Sequence, residues 1–200
     1  MRLTHKFTRR ATDEEKLAIA SAGSLSAMVK VIAILSEKKD PNRYKPDNFK
    51  GDAFEWFAEF FFKTFGNDNF FLNVNGYQPI KGADYGVDGF GKYSKDTTKT
   101  VAVQIKYKSN LTKVLSSAED NLSNFGLHAN AKYGVEIDDK YLIVFTSGKG
   151  IAQTTQKGIF NDKVTCINGE IIKRYIDTNE SFWEEFQKRA VTVKKVAQGV

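Results

Sequence analysis

The chain has 200 residues, of which 41% are hydrophobic and 27% are charged, so it is long enough for one ordinary domain with a real core. Its 30 basic and 24 acidic residues give a net charge of +6, which suits a polyanionic partner without identifying one. The single cysteine, Cys166, excludes an internal disulfide, and the two histidines, His5 and His128, are too scattered for a predicted zinc site or histidine-based triad. We therefore expect a cytoplasmic protein with a buried structural thiol and no membrane partner.

The first 49 residues predict a helical extension and a linker. Residues 1–12 are basic and lack the apolar centre of a signal peptide, and Thr12 is followed by acidic residues, which is a helix-start signal. Apolar residues at helical spacing predict a second helix from Ser24 to about Lys38, which is far shorter than a membrane span. The polar segment 37–50 predicts a loop. The helices are expected to pack on the rest of the chain, with self-association or docking of a neighbour as the alternative.

An aromatic-rich helix is predicted from Gly51 to Phe65. Its apolar residues cover a wide arc, which indicates a buried core helix and not a platform for stacking nucleic-acid bases. Glu55 and Glu59 lie four residues apart, so one face of this helix carries two carboxylates.

Residues 82–108 predict one β-hairpin around which the rest of the chain is organised. Its glycine-rich first strand contains Asp88, and its second strand has one apolar and one polar face because side chains alternate along a strand. The polar face carries Gln104, Lys106 and Lys108.

These residue types suit a phosphodiesterase centre that uses a metal ion. Asp88 offers an anionic oxygen to Mg²⁺, Gln104 offers a neutral oxygen, and the backbone carbonyl of Ile105 can add another. Lys106 can orient an attacking water or stabilise charge on a phosphate, and Lys81 lies close enough in sequence to meet a phosphate near the mouth of the site. The alternative is a half-exposed hairpin whose outer face merely carries polar side chains.

A polar helix is predicted after the hairpin, from Asn110 to about Ala131. Lys106, Lys108, Asn110 and Lys113 would cluster near its start, where backbone N–H groups also favour anions, so we expect either a DNA phosphate or an ordinary solvated surface there. Residues 141–145 are a continuous apolar run typical of a central strand. The loop that follows lacks the spacing of a phosphate-binding P-loop, which argues against an ATPase.

The C-terminal part predicts a short strand, a hairpin turn and a final helix. Asn168 and Gly169 between apolar residues are a strong hairpin signal. The final helix opens near Asn179, and its aromatic residues can fix it to the core. Residues 188–200 form a basic tail.

Several of these motifs together resemble the Mrr-like branch of the PD-(D/E)XK nuclease superfamily. Gly86–Gly89 (GVDG) followed by Val103–Lys106 (VQIK) resembles the pattern in which D-G and Q-x-K replace the commoner D/E-x-K. Upstream, Gly51–Glu55 (GDAFE) is similar to the family's opening helix. Downstream, Tyr141–Gly148 resembles its later core strand, and Val164–Gly169 resembles the short strand and turn that follow.

The resemblance covers about residues 50–176 and implies an α/β fold. It implies a restriction-endonuclease-like core with a mixed β-sheet flanked by helices, preceded by an N-terminal helical extension. The expected divisions are an extension and linker at 1–49, the nuclease core at 50–178, and a basic helix and tail at 179–200.

The resemblance also implies a Mg²⁺-dependent DNA endonuclease of restriction or DNA processing, with Mn²⁺ as a substitute, that leaves a 5′-phosphate. Asp88, Gln104 and the carbonyl of Ile105 would bind the metal, Lys106 would position the nucleophile, and Glu55 would assist directly or through water. A solvated or helix-capping acid is the alternative for Glu55.

Domains of this kind are often joined to a helicase or translocase motor. The expected partners are therefore DNA, a motor in the same or another chain, and a second copy of this chain in a homodimer. One alternative is a catalytically silent nuclease-fold module for DNA binding or assembly with a motor, since a glutamine in place of an acid weakens metal binding. Another is a junction- or RNA-directed nuclease with the same centre.

Overall fold

The computed structural model of the protein describes residues 1–68, 72–81 and 86–191, and the predicted basic tail lies outside these ranges from residue 192. The helices in these ranges are α1 (Phe7–Arg10), α2 (Asp13–Ala20), α3 (Leu25–Glu37), α4 (Pro46–Phe65), α5 (Ser117–Asp120), α6 (Phe125–Tyr133), α7 (Gln153–Gly158), α8 (Gly169–Ile176) and α9 (Glu180–Ala190). The strands are β1 (Val74–Pro79), β2 (Gly89–Tyr93), β3 (Asp96–Lys106), β4 (Val114–Leu115), β5 (Leu142–Thr146), β6 (Gly150–Ile151) and β7 (Thr165–Ile167). Among the described residues, no helix is both long and apolar enough to cross a bilayer.

A five-stranded mixed sheet, in the order β1-β2-β3-β5-β7, forms the centre of the fold. β1, β2 and β3 pair antiparallel, whereas β3, β5 and β7 run parallel to one another. A small second sheet pairs β4 with β6 in parallel. The expected α/β architecture of a mixed sheet flanked by helices is confirmed. The restriction-endonuclease-like core stays a prediction, as does the division of the chain at residues 49 and 178.

β2 and β3 form the predicted hairpin. Gly89 lies opposite Val103, and β3 continues beyond this pair to Lys106, which lies opposite Thr146 of β5. The hairpin is therefore confirmed over residues 89–106, while residues 82–85 lie outside the described part of the chain. Since Asp88 immediately precedes β2, the pairing brings it to the carboxyl end of β3.

Both faces of the sheet are covered. On one face, α4 supplies a row of buried aromatic side chains, and the ring centre of Phe145 in β5 lies 5.0 Å from that of Phe62. On the other face, Ala102 packs in a second apolar cluster around Phe125 of α6. Gln104 lies two residues after Ala102 on the same side of β3 and is fully buried. The half-exposed hairpin considered as an alternative is therefore excluded.

The N-terminal helices pack into the same apolar core as α4, which confirms the predicted packing role. Their buried members in this core are Leu3, Phe7, Ala11, Ile19, Ala20, Leu25, Met28, Val29 and Ile32. Thr12 starts α2 as predicted, because its hydroxyl accepts the N–H of Glu15 at 3.2 Å while the Glu15 carboxylate accepts the N–H of Thr12 at 3.0 Å. Ser24 caps α3 with a single bond, since its hydroxyl accepts the N–H of Ala27 and the alanine side chain cannot return the bond.

The predicted helix over residues 110–131 is wrong as one continuous helix from Asn110, although α5 and most of α6 lie within its range. The Asn110 side chain accepts hydrogen bonds from the backbone N–H and the hydroxyl of Thr112, which makes a turn instead of a helix start. Val114 then pairs in parallel with Gly150. Asn121 has a left-handed backbone (φ 52°) that separates the short α5 from α6. Short polar side chains that bond their own backbone therefore break the expected helix into two.

The predicted hairpin at Asn168 and Gly169 is also wrong. The Asn168 side chain accepts the N–H of Ile171 at 3.0 Å and caps α8, because asparagine suits a helix start as well as it suits a turn. Gly169 is required by packing, since a Cβ atom there would lie 2.4 Å from the carbonyl oxygen of Ser147. The final helix begins after Asn179 as predicted.

Candidate functional site

A polar cavity of about 470 Å³ opens at the carboxyl end of β3. It brings together five predicted site residues, Glu55, Asp88, Gln104, Ile105 and Lys106. These residues come from α4, from the loop before β2, and from β3, and are separated by up to 51 positions in the sequence. The hairpin and the packing of α4 on the sheet create this proximity.

Two backbone contacts attach Asp88 to β3. Its Oδ2 atom accepts the N–H of Ile105 at 2.5 Å, and its own N–H donates to the carbonyl of Val103 at 2.9 Å. A carboxylate that accepts a backbone N–H keeps a fixed orientation and retains lone pairs for further partners. Asp88 is therefore an anchored oxygen donor in the cavity.

Two glycines of the GVDG motif have identifiable structural roles. Gly86 has a left-handed backbone (φ 82°), and a Cβ atom there would come within 3.3 Å of the Gln104 amide nitrogen. A Cβ atom at Gly89 would lie 2.2 Å from the hydroxyl oxygen of Tyr77. Burial, with the nearby charge of Asp88, raises the pKa of that tyrosine well above its usual value, so the hydroxyl stays neutral beside the carboxylate.

The Gln104 side chain has an unusual environment. It is fully buried, and neither its amide oxygen nor its amide nitrogen has a hydrogen-bond partner within the described ranges. Leaving such a group unsatisfied costs about 1–3 kcal/mol, and buried side-chain amides in proteins are normally bonded. The amide therefore marks a place where a ligand, a water or an ion belongs.

Lys106 lies two residues beyond Gln104 and shares its side of β3. It is partly buried and lines the cavity, and its ammonium makes no ion pair with any of the residues that the structure describes. An unpaired cation beside carboxylates and an amide suits an anionic substrate.

His5 holds Glu55 in place. The Nδ1 atom of His5 accepts the N–H of Phe7 at 3.2 Å, which assigns the proton to Nε2. The Nε2–H then donates to Oε2 of Glu55 at 2.8 Å. His5 is 3% exposed, so this contact is screened little by solvent. The expectation that the two histidines form neither a zinc site nor a histidine-based triad stays a prediction, but the contact of His5 with Glu55 was not foreseen, because no local sequence signal connects residues 50 positions apart.

His5, Asp52 and Glu55 place one ligand-type atom each within 4.8 Å of one another. Asp52, however, accepts from Lys6 at 2.8 Å, from Arg10 at 3.4 Å and from the Tyr44 hydroxyl at 2.6 Å. His5 directs an N–H, and not a lone pair, at Glu55. This cluster is accounted for by its protein partners, and Glu55 is the member that also lines the cavity.

The three lysines predicted to meet phosphates do not line this cavity. Lys108 forms a largely buried ion pair with Asp120 at 2.7 Å, and its backbone bonds the hydroxyl of Ser147. Lys113 is exposed and does not lie at a helix start, because the predicted helix is absent there. Lys81 is exposed and lines a different cavity beside β1. The expected cluster of Lys106, Lys108 and Lys113 at a helix N-terminus is therefore wrong.

Five further residues, which no sequence motif marks as site residues, line the cavity. They are Asp47, Lys50, Gly51, Tyr107 and Asn121. Burial raises the pKa of the Tyr107 phenol to about 12, and its hydroxyl donates to the carbonyl of Val29. Lys50 pairs with Asp47 at 3.2 Å at the exposed side of α4. For Asp47 and Gly51 the signal was the period of α4, which places residues 47, 51 and 55 on one face, whereas Tyr107 and Asn121 lie outside this helix.

Cys166 lies on β7, away from this cavity, and is partly buried. Burial raises the pKa of its thiol to about 12. The thiol is therefore protonated near neutral pH, as expected for a structural cysteine and not for a nucleophile.

Replacing His5 tests its contact with Glu55. If the cavity binds Mg²⁺ and His5 orients this carboxylate, His5→Ala should raise the Mg²⁺ concentration needed for half-maximal binding by about 10–100-fold. His5→Gln, whose amide retains an N–H donor, should recover part of the loss. Titrations followed by tyrosine and tryptophan fluorescence, with the thermal midpoint as a folding control, check this. Equal metal binding by His5→Ala and the wild type would contradict it.

No protein-family model, curated protein or solved structure matches this chain.

Proposed function

We propose that this chain is a Mg²⁺-dependent DNA endonuclease that hydrolyses phosphodiester bonds. The observation that carries the proposal is the Gln104 amide, which is fully buried, lacks a partner among the described residues and lines one cavity with Asp88, Glu55 and Lys106. A neutral oxygen, two carboxylates and a lysine form a donor set for a hard cation beside a cation for phosphate. The order of these residues on a hairpin also agrees with the Mrr-like resemblance.

The residues present fit a magnesium ion. Mg²⁺ prefers oxygen ligands, and Asp88, the amide oxygen of Gln104, the Ile105 carbonyl and Glu55 would hold it or the waters around it. Mn²⁺ accepts the same oxygen donors. When bound, the ion would lower the pKa of a coordinated water and neutralise phosphate charge.

The other steps belong to side chains of this chain. Lys106 would orient the attacking water or stabilise the phosphate charge, and His5 would keep Glu55 in position. Water would form a bond to phosphorus as the bond from phosphorus to the 3′ oxygen breaks, which leaves the 5′-phosphate that the resemblance implies. A restriction-endonuclease-like core, a motor partner, a homodimer and a cytoplasmic location remain parts of the same proposal.

Replacing Gln104 with methionine separates a binding role from a structural one. Methionine has a similar volume and no atoms that require hydrogen bonds, so metal-free Gln104→Met should be more stable than the wild type by about 1–3 kcal/mol. The same change should remove an oxygen ligand and lower Mg²⁺-dependent DNA nicking at least about a hundredfold. Urea unfolding in EDTA and plasmid nicking measure the two effects.

A control substitution and the combination of the two measurements distinguish a binding role of Gln104 from a structural one. Met28→Leu, in the core away from the cavity, should change both properties little and controls for repacking. If Gln104→Met is less stable than the wild type and nicks DNA normally, the amide is a structural group with bonded water. The proposed site would then be wrong.

A catalytically silent DNA-binding or assembly module is the second candidate. It is favoured by Gln104 itself, because a neutral amide gives the cavity less negative charge than the acid of the commoner motif would. Wild-type protein that binds DNA with a steep salt dependence but never cuts it, with either Mg²⁺ or Mn²⁺, would support this candidate.

A further inference from the structure

A second concave surface lies beside the candidate site, which we call the basic cleft. It has a volume of about 680 Å³ and is formed by the segment between α3 and α4 together with the end of α1. Its charged lining residues are Arg10, Lys38, Lys39, Asp40, Arg43 and Lys45. Basic side chains therefore outnumber acidic ones strongly at this surface.

Two of these cations serve the fold. Lys39 forms an ion pair with Glu15 and lies 4.7 Å from the centre of the Phe49 ring. Arg10 contacts Asp52 at 3.4 Å, although its side chain is 58% exposed. These two contacts hold the floor of the cleft in place. The other three cations, Lys38, Arg43 and Lys45, form its rim.

The rim charges are available to a ligand. The Arg43 side chain is 90% exposed, and its 3.9 Å contact with Asp40 is too long and too solvated to neutralise it. Lys38 and Lys45 are exposed and make no ion pair with any described residue. These cations would otherwise repel one another, so an anionic partner would stabilise them.

Tyr44 and Asp52 connect the cleft to α4. The Tyr44 hydroxyl donates to Asp52 at 2.6 Å, and its ring packs edge-on against Phe49 at 5.5 Å. Lys45 is the N-cap residue of α4, and Glu55 lies ten residues further along the same helix. At 1.5 Å per residue Lys45 and Glu55 are about 15 Å apart along the axis of α4, and Asp47, at the near side of the candidate cavity, lies only two residues after Lys45.

We propose that the basic cleft binds the phosphodiester backbone of duplex DNA beside the bond held at the candidate site. The distance of about 15 Å from Lys45 to Glu55 corresponds to about four to five base pairs, so one short duplex can span the cleft and the cavity together. Because both surfaces are fixed on one helix, they favour a rigid ligand whose phosphates already have a fixed spacing. A single strand or an acidic peptide would lose conformational entropy when it is ordered on binding. The claim that the bound duplex is cut at the candidate site rests on the proposed function. The claim that the cleft attracts phosphate is independent of it, because it rests on the charges of the cleft.

A matched pair of double variants tests this inference. Arg43→Ala/Lys45→Ala removes two rim cations, and Lys140→Ala/Lys163→Ala removes two exposed lysines near the amino ends of β5 and β7. These strands run parallel to β3, and the cavity lies at the carboxyl end of β3. The control positions therefore lie at the opposite, amino-terminal end of the strands. Binding to a labelled duplex two helical turns long is measured by fluorescence anisotropy in EDTA, so that no cleavage occurs.

The cleft variant should bind about tenfold or more weakly at about 0.1 M salt, with a salt slope shallower by about two, while the control binds like the wild type. Equal affinity and slope for the two variants, or no duplex binding by the wild type, would overturn the inference. Nicking assays keep this result apart from the proposed function. If the cleft variant loses duplex binding and the wild type does not nick DNA, the basic cleft is supported and the nuclease function is overturned. If the wild type nicks DNA and the cleft variant binds the duplex as well as the wild type does, the nuclease function is supported and the basic cleft is overturned.

Discussion

Supercoiled plasmid is expected to be nicked by the wild-type protein with Mg²⁺ or Mn²⁺ and to remain intact with Asp88→Asn. The amide oxygen that this substitution introduces could still accept the N–H of Ile105, so the fold should persist while the anionic ligand is lost. We expect nicking to fall by about a thousandfold or more, because metal positioning and charge neutralisation both depend on this carboxylate. Loss of the Lys106 ammonium in Lys106→Ala should lower it by about 10²–10³-fold.

Lys113→Ala provides the control for these substitutions. Lys113 is exposed and does not line the candidate cavity, so its removal should change nicking by less than about threefold. Methylated and unmethylated plasmids are compared in the same assay, because a cavity that contacts only the DNA backbone, as proposed for this site, would not encode target choice. Normal nicking by Asp88→Asn, or persistent nicking that co-purifies equally with every variant, would contradict the assignment of the site.

The hairpin could be predicted from the sequence because its information is local. Alternation in β3 places Ala102 and Gln104 on one side and Val103 and Ile105 on the other, and the two apolar clusters of the structure divide in the same way. The burial of Gln104 could not be read from this pattern. That side of β3 is covered by parts of the chain distant in sequence, among them Phe125 of α6 in the cluster with Ala102, so a polar residue in a strand gives no sign of whether its face is covered.

The contact of His5 with Glu55 could not be predicted from the sequence for a related reason. The two residues are 50 positions apart, and the contact exists because the N-terminal segment packs along α4. The errors at Asn110 and Asn168 have a different origin, since an asparagine side chain can bond its own backbone in a turn or cap a helix. Tertiary contacts decide between these uses, as Gly169 shows by its close approach to Ser147.

Glu59→Ala is expected to destabilise the protein by about 3–5 kcal/mol. The Glu59 side chain is fully buried and accepts the backbone N–H and hydroxyl of Thr4, the N–H of His5 and the ammonium of Lys63. Its removal would take this acceptor away from the N–H groups of Thr4 and His5, of which His5 is buried, whereas the Lys63 ammonium would keep its bond to the carbonyl of Arg2. Urea unfolding in EDTA measures the loss without a contribution from bound metal.

Two further variants decide whether the Glu59 carboxylate holds the N-terminal segment on α4. Glu59→Gln retains an oxygen acceptor and should lose less stability than Glu59→Ala, whereas Glu184→Ala at an exposed position of α9 should stay within about 0.5 kcal/mol of the wild type. Because the N–H of His5 bonds Glu59 while its ring bonds Glu55, Glu59→Ala should also weaken Mg²⁺ binding. A change in stability as small as that of Glu184→Ala would mean that apolar packing alone holds this segment and that Glu59 does not support the site.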